Sequence, residues 1–374
     1  MSKKKLLIVT DSFLPRCEGI TRFLFEIIPK LTDSYKITIL APKFDDKEYK
    51  IDGVDIVRMP VMKIQFGDLY PAKFNYKGVK KLVEQHDIVF IQSIAALGLS
   101  AVKAAKKLEK PIVAYAHVIE YEIVTKSLGK MRLFVKHISK MFMKYAYNKI
   151  NLLLVPFSEV GELFRKQGIK VPYAVVPLGV DSEKFKPAEN KIEAKEKLNI
   201  DPKHIIIGYV GRIGREKNLL TLYRAFRKLE KRYDNIRLMI VGKGVKDEEK
   251  IFTQNRNIMM TGMQNDVVPY LQAMDIFVMP SLTETSSLAT MEAMACGLPV
   301  VSTPVGLVKE YVEERRNGMF FPFKNSLVLS MKLEKLINNA QLRVRMGANA
   351  RETMKEKYNW EKTVTLIKDA IRYF

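Results

Sequence analysis

Runs of aliphatic and β-branched residues recur along this 374-residue chain, and between them apolar positions fall at helical spacing. In the first half the runs are KLLIVT (5–10), KITILA (36–41), DIVRM (55–59), DIVFIQ (87–92), PIVAYA (111–116), NLLLVP (151–156) and YAVVPL (173–178). In the second half they are HIIIGYVG (204–211), IRLMIVG (236–242), NIMMTG (257–262), IFVMP (276–280) and PVVSTP (299–304). They lack polar alternation, which predicts strands covered on both faces, as in parallel sheets. Helical patterns of ten or more residues separate them, which predicts right-handed βαβ units. The length suits two domains, each a doubly wound α/β sheet. After PLGVDSEKFKP the chain becomes charged and poor in apolar residues, AENKIEAKEKLNIDPKH, before a fresh strand. The expected divisions are therefore 1–185, 186–357 and a tail, 358–374, in which Trp360, Val364, Ile367 and Ile371 recur at helical spacing.

The segment SLTETSSLATMEAMACGLPVVSTP concentrates the candidate chemistry. It reads as loop, helix, turn, strand. Glu284 falls in the loop and Glu292 inside the helix, with Ser286, Ser287 and Leu288 at the helix entry. A helix N-terminus offers unsatisfied N–H groups and a positive dipole end, a natural anion site. Two carboxylates beside it accept hydrogen bonds from hydroxyls. A ligand carrying both phosphates and hydroxyls, such as a sugar nucleotide, satisfies both. The alternative is an ordinary solvated pair of helix-flanking glutamates.

Other strand ends add to this. YVGRIGREKN closes a strand at Gly211 and supplies Arg212, Arg215 and Lys217 in a glycine-punctuated loop; Arg212 and Lys217 are spaced to hold a diphosphate from two sides. VGKG places Gly242 at another strand end, where a missing Cβ permits close backbone approach. Near the start, Gly19 opens a helix after the first strand. His117 follows PIVAYA at a strand's carboxyl end, with Glu120 and Glu122 nearby. There it can donate to a sugar hydroxyl or phosphate, or move a proton.

Charge adds a surface argument. The chain carries 63 Lys+Arg against 41 Asp+Glu, a net +22, which attracts anionic membranes or nucleic acid. In 129–150 Lys136, Lys140 and Lys144 recur every fourth residue, with Phe134, Ile138, Met141, Phe142 and Tyr145 expected on the opposite side. That pattern belongs to helices lying in a membrane interface, and Lys130, Arg132, Lys136, Lys140 and Lys144 are the expected membrane contacts. No nucleic-acid module accompanies the charge. No apolar run reaches the length of a membrane span. MSKKKLLIVT is too short in its apolar part for a leader and reads as a first strand. Cys17 and Cys296 form no framework, so reduced thiols and a cytoplasmic setting are expected. No metal-ligand spacing occurs, and no obligatory metal is expected.

Taken in order, PRCEGITRF, YAH, VVPLGVDSEKF, GRIGREKN, VGKG and ETSSLATMEAMACGLPVVSTP, with a glutamate pair spaced E-x7-E, resemble glycosyltransferase family 4 across nearly the whole chain. The resemblance implies the GT-B fold, two Rossmann-like domains facing a central cleft, and retaining transfer from a nucleotide-diphosphate sugar. It implies that Arg212 and Lys217 hold the donor diphosphate, that Glu292 binds ribose and that Glu284 binds sugar hydroxyls. Ser286, Ser287 and Leu288 would give amides, Gly19 and Gly242 would approach the donor, and His117 would contact the transferred sugar. The tail helix would return to the first domain. Ser286 and Ser287 stand where the family often has Phe-Gly, Glu18 where it often has Gly, and Phe90 and Gln92 where many members have two histidines. The wording is most similar to members with lipid acceptors. The expected function is hexose transfer from a UDP- or GDP-sugar to a lipid, by an enzyme peripheral to the inner face of the cell membrane. The alternatives are a soluble sugar or polysaccharide acceptor, or a nucleotide-sugar epimerase.

Overall fold

A computed structural model of the chain describes residues 3–16, 19–62, 72–117, 132–244 and 246–374, and side chains from 140 on in the helix Arg132–Tyr147. The contacts divide it into two units: Met1–Leu178 with Trp360–Phe374, and Gly179–Asn359.

The first unit is built on a sheet of seven strands: β1 (Lys4–Val9), β2 (Tyr35–Lys43), β3 (Val54–Pro60), β4 (Ile88–Ile91), β5 (Ile112–Tyr115), β6 (Leu152–Val155) and β7 (Tyr173–Val175). Their spatial order is β3-β2-β1-β4-β5-β6-β7, with every neighbouring pair parallel. Aliphatic runs dictate this: β4 and β5 are buried at all four positions. The second unit holds β8 (Ile205–Val210), β9 (Ile236–Val241), β10 (Ile258–Gly262), β11 (Ile276–Met279), β12 (Val300–Ser302) and β13 (Gly318–Phe320), in the order β10-β9-β8-β11-β12-β13 and again parallel. β13 was not among the expected strands; its three residues, GMF, are too few to stand out between turns. In each sheet the order reverses once, between β1 and β4 and between β8 and β11. Doubly wound sheets bind ligands outside the carboxyl ends at such a reversal.

The tail helix Trp360–Arg372 buries Trp360, Val364, Ile367 and Ile371 in the core of the first unit, beside Phe23, Ile27 and Tyr115. The Trp360 and Phe23 rings meet edge-on at 6.0 Å. Burial of those four side chains contributes roughly 6–12 kcal/mol before entropy is counted. The chain changes unit after Leu178, earlier than the charged stretch suggested. Gly179–Phe185 is tied to the second unit: Val180 N–H donates to Tyr358 O (2.9 Å), and Arg351 donates to Phe185 O (3.1 Å) and Ser182 O (3.3 Å).

Candidate functional site

In the second unit the two loops leaving β8 and β11 are stitched together by one backbone and one side-chain hydrogen bond. Leu282 N–H donates to Glu216 O at 2.8 Å, and Asn218 Nδ2 donates to Pro280 O at 3.1 Å. Asn218 takes the left-handed conformation (φ 52°) that ends the short 3-10 turn Arg215–Lys217 and starts the helix Leu219–Leu229. This stitching carries Lys217 to Glu284. Their Nζ and Oε1 stand 2.5 Å apart, with the side chains 20% and 11% exposed. Ser281, fully buried, donates its hydroxyl to the same Glu284 oxygen at 2.7 Å. The pairing of Lys217 with Glu284 was not foreseen from their separate places in the sequence. Arg212 is turned to another carboxylate: its Nη2 lies 2.5 Å from Glu216 Oε1.

Glu284 leads into the helix Leu288–Ala295. Ser287 sits at φ 52° and its hydroxyl bonds Thr290 Oγ1 at 2.7 Å instead of capping the helix amides. The first turn holds no acidic residue, so its N–H groups keep their positive end. The loop is braced from behind. Tyr311 OH donates to Ser286 O (3.0 Å) and reaches Ser287 O (3.4 Å), and Leu307 N–H donates to Thr285 O (2.8 Å). Gly306 lies so close that a Cβ there would stand 2.2 Å from Glu284 O, at a φ of 50° that already favours glycine. Ser286 Oγ is buried with no hydrogen-bond partner. Glu292, 3% exposed, lies one turn deeper in the helix. Burial, and then the Glu292 charge, push the Cys296 thiol up to about 12, so this thiol stays protonated. Gly242 has a structural reason to be glycine: at φ 142°, a Cβ would stand 2.0 Å from Gly211 O.

In the first unit the carboxyl ends of β1, β4 and β5 also gather polar groups. His117 Nε2 is 2.9 Å from Gln92 Oε1, and its ring packs on Phe23 (4.7 Å) and Tyr115 (4.5 Å). Burial lowers the imidazole to about 3, so it is neutral at ordinary pH. With Gln92 Oε1 as acceptor, Nε2 carries the proton and Nδ1 keeps a lone pair. Asp11, which sequence reasoning passed over, follows β1 and accepts from the amides of Ala95 (3.3 Å), Leu97 (2.9 Å) and Gly98 (3.3 Å) and from the Ser93 hydroxyl (3.2 Å). It closes the N-terminus of the helix Ala96–Lys107. Burial pushes its carboxyl above the ordinary value while those donors pull it back. Gly19 begins the helix Gly19–Leu31, and a Cβ there would meet nothing within 4 Å; packing does not demand a glycine at this point.

The helix Arg132–Tyr147 differs from its expected arrangement. Met143, Ala146 and Tyr147 are buried, whereas Met141, Phe142 and Tyr145 are exposed at 60%, 57% and 60%. These apolar side chains therefore share the solvent side with Lys144 instead of opposing it. The Lys149 ammonium lies 4.1 Å from the Tyr145 ring. Lys130, Glu120, Glu122, Cys17 and Glu18 lie outside the described residues, as do the side chains of Arg132, Phe134, Lys136 and Ile138. Among the described residues no helix is long and apolar enough to cross a membrane.

Comparison with known proteins agrees with this architecture. The family model Glycosyltransferase Family 4 matches residues 18–184, and Glycosyl transferases group 1 matches residues 190–353. The Alpha-monoglucosyldiacylglycerol synthase of Streptococcus pneumoniae is 24% identical over 88% of this chain and 78% of its own length. The GDP-mannose-dependent alpha-mannosyltransferase of Corynebacterium glutamicum is 26% identical over 97% of this chain and 87% of its own. Among solved structures, Anabaena Alr3699/HepE in complex with UDP superposes with a TM-score of 0.80 at 17% identity, covering 99% of this chain and 100% of that one. The fold is GT-B. The chain belongs to glycosyltransferase family 4 and is a glycosyltransferase.

Proposed function

We propose that the protein transfers a hexose from a UDP- or GDP-sugar to a lipid hydroxyl at the cytosolic face of the membrane, with retention at the anomeric carbon. The observation that carries the donor reading is the Lys217–Glu284 pair at the entry of the helix Leu288–Ala295. A cation, a hydroxyl-accepting carboxylate and a helix N-terminus free of acidic residues converge within one unit. The UDP and GDP donors come from the relatives' names: one similar structure holds UDP, and one relative uses GDP-mannose.

In this reading Lys217, Arg212 and the amides at Ser286, Ser287 and Leu288 take the diphosphate, and Gly242 keeps backbone close to it. Glu284 accepts from sugar hydroxyls and Glu292 from the ribose. In the first unit, Gly19 and neutral His117 are the groups assigned to substrate. The sugar C1–O bond to the diphosphate breaks as charge builds on the phosphate, which fixed cations and amides stabilise. The acceptor hydroxyl forms the new C1–O bond on the same face, and its proton passes to the leaving phosphate oxygen. Glu284, held by Lys217 and Ser281, is a hydroxyl acceptor and not a covalent nucleophile. A glycosyl adduct on the protein, seen by mass spectrometry, would overturn this.

The lipid acceptor rests on the exposed Met141, Phe142 and Tyr145 beside Lys144 and Lys149, and on a relative named for monoglucosyldiacylglycerol synthesis. Apolar side chains among lysines insert into an anionic interface. The deciding experiment is a thermal-shift panel of UDP, GDP, ADP and their sugar conjugates, with and without EDTA. A UDP or GDP compound raises the melting temperature by mass action. If none does, the donor reading fails. Flotation with anionic vesicles then separates lipid from soluble acceptors.

A further inference from the structure

All three residues of the 3-10 turn Arg215–Lys217 make ion pairs: Arg215, almost fully exposed, pairs with Glu248 at 3.4 Å, and the other two make the pairs that matter here. Lys217 reaches forward to Glu284, and Glu216 reaches back to Arg212. The two pairs are not alike. Lys217 and Glu284 are mostly buried, whereas the Arg212 side chain is 65% exposed and that of Glu216 is 29% exposed. An exposed guanidinium has no wall to hold it, so Glu216 sets its position. Backbone fixes Glu216 in turn, because its carbonyl accepts from Leu282 N–H. Gly214 leaves room for the carboxylate: a Cβ there would stand 2.8 Å from Glu216 Oε2. Gly214 is in extended backbone (φ −159°) that any residue can adopt. An alanine here would therefore shift the tip of the Glu216 side chain.

We propose that Glu216 is a product-release residue: its carboxylate shares Arg212 with the diphosphate and repels the free nucleoside diphosphate more than the sugar donor. This rests on the donor reading above. A diphosphate esterified at both ends carries about two negative charges, and the product, with one end freed, about three near neutral pH. A fixed negative charge about 6 Å from the phosphates weakens binding about threefold per phosphate charge in water, before salt screening. The penalty therefore falls about threefold harder on the product than on the donor. Such a residue shortens the time the product occupies the site, at the cost of weaker donor binding.

The test is titration calorimetry of UDP against UDP-glucose, and of GDP against GDP-mannose, using whichever pair the wild type binds. Each is measured at low and high salt on wild type, Glu216→Gln and Gly214→Ala. Glu216→Gln removes the charge and keeps the shape. Gly214→Ala keeps the charge and pushes the carboxylate away from its place. Both variants are expected to bind the free diphosphate several-fold tighter at low salt, with the ratio of product to donor affinity rising about threefold and the gain shrinking as salt is added. Unchanged or weaker binding of the free diphosphate by Glu216→Gln, or an equal gain for donor and product, overturns the proposal. Binding of none of these compounds by the wild type removes the donor reading itself, and this role with it.

Discussion

Replacing Lys217 by Ala removes the single cation that touches Glu284 in the described site. The carboxylate, 11% exposed in the intact pair, keeps the Ser281 hydroxyl at 2.7 Å and loses its cation. Breaking a fully buried pair costs roughly 3–5 kcal/mol, and an exposed pair about 0–1. With Lys217 20% and Glu284 11% exposed, the expected loss is about 2 kcal/mol. For a unit of this size that is a fall in melting temperature of about 4–8 °C. Adding Glu284→Gln should return part of the loss, because the stranded charge is gone; the double-mutant cycle should show a coupling of about 1–2 kcal/mol. Activity should behave differently. In the proposed reading Lys217 also faces charge that develops on the leaving diphosphate, so transfer should drop by a factor of about 10²–10³ in the single variant and stay low in the double. Differential scanning fluorimetry and a nucleoside-diphosphate release assay read the two effects separately. A Lys217→Ala protein that melts as the wild type does, or turns over near its rate, refutes the reasoning.

Three further outcomes follow from the same geometry. Tyr311→Phe removes the hydroxyl that draws back the carbonyls of Ser286 and Ser287; we expect a stability loss of about 1 kcal/mol and a donor KM several-fold higher, and an unchanged KM would show that Tyr311 does not position the loop. His117 is lowered to about 3 in the fold from an ordinary 6.5, so below pH 6.5 the unfolded chain binds a proton that the folded one refuses. Stability should therefore be fully present above about pH 6.5 and fall as pH drops from there towards 3; His117→Gln should flatten that part of the melting-temperature profile, and an unaltered slope would remove His117 as its source. Replacing Phe142 and Tyr145 by Ser should leave the melting temperature within about 1–2 °C, since both are exposed, and should weaken flotation with anionic vesicles; equal flotation would place the membrane contact elsewhere.

The strands were legible because both faces of a parallel sheet are covered, so β4, β5, β8 and the last four residues of β1 read as apolar runs without polar alternation. β13 escaped because three residues give no period. The glutamate, arginine and lysine of the proposed donor loops were legible as residue types at strand ends. Their partners were not. Glu284 and Lys217 are 67 residues apart and meet through two hydrogen bonds between loops, one from the Leu282 backbone N–H and one from the Asn218 side-chain amide. Tyr311 acts on a loop 25 residues away and has no local mark at all. Asp11 had a signal, an acidic residue directly after a strand, but its task is to cap a helix that begins at Ala96. On the helix Arg132–Tyr147 the periodicity was read correctly as amphipathic and its faces were misassigned. Lysine spacing alone does not say which apolar residues are buried, and Met143, Ala146 and Tyr147 are, whereas Met141, Phe142 and Tyr145 are not.

The basic surplus therefore answers a different question from the donor loops. A net +22 attracts anions over a distance set by screening, about 8 Å at physiological salt. In the proposed reading the two cations assigned to the diphosphate are already matched, Arg212 by Glu216 and Lys217 by Glu284, each at 2.5 Å, and Arg215 of the same loop faces Glu248 at 3.4 Å. A diphosphate approaching these loops meets little net side-chain charge. Much of its hold must come from backbone: the first turn of the helix Leu288–Ala295, kept open because Ser287 bonds Thr290 and because no acidic residue lies in that turn. Amides hold a phosphate whatever the base or sugar attached to it. Under the proposed function specificity then falls to the carboxylates, Glu284 above all, whose single charge is shared between Lys217, Ser281 and whichever hydroxyl the donor sugar presents.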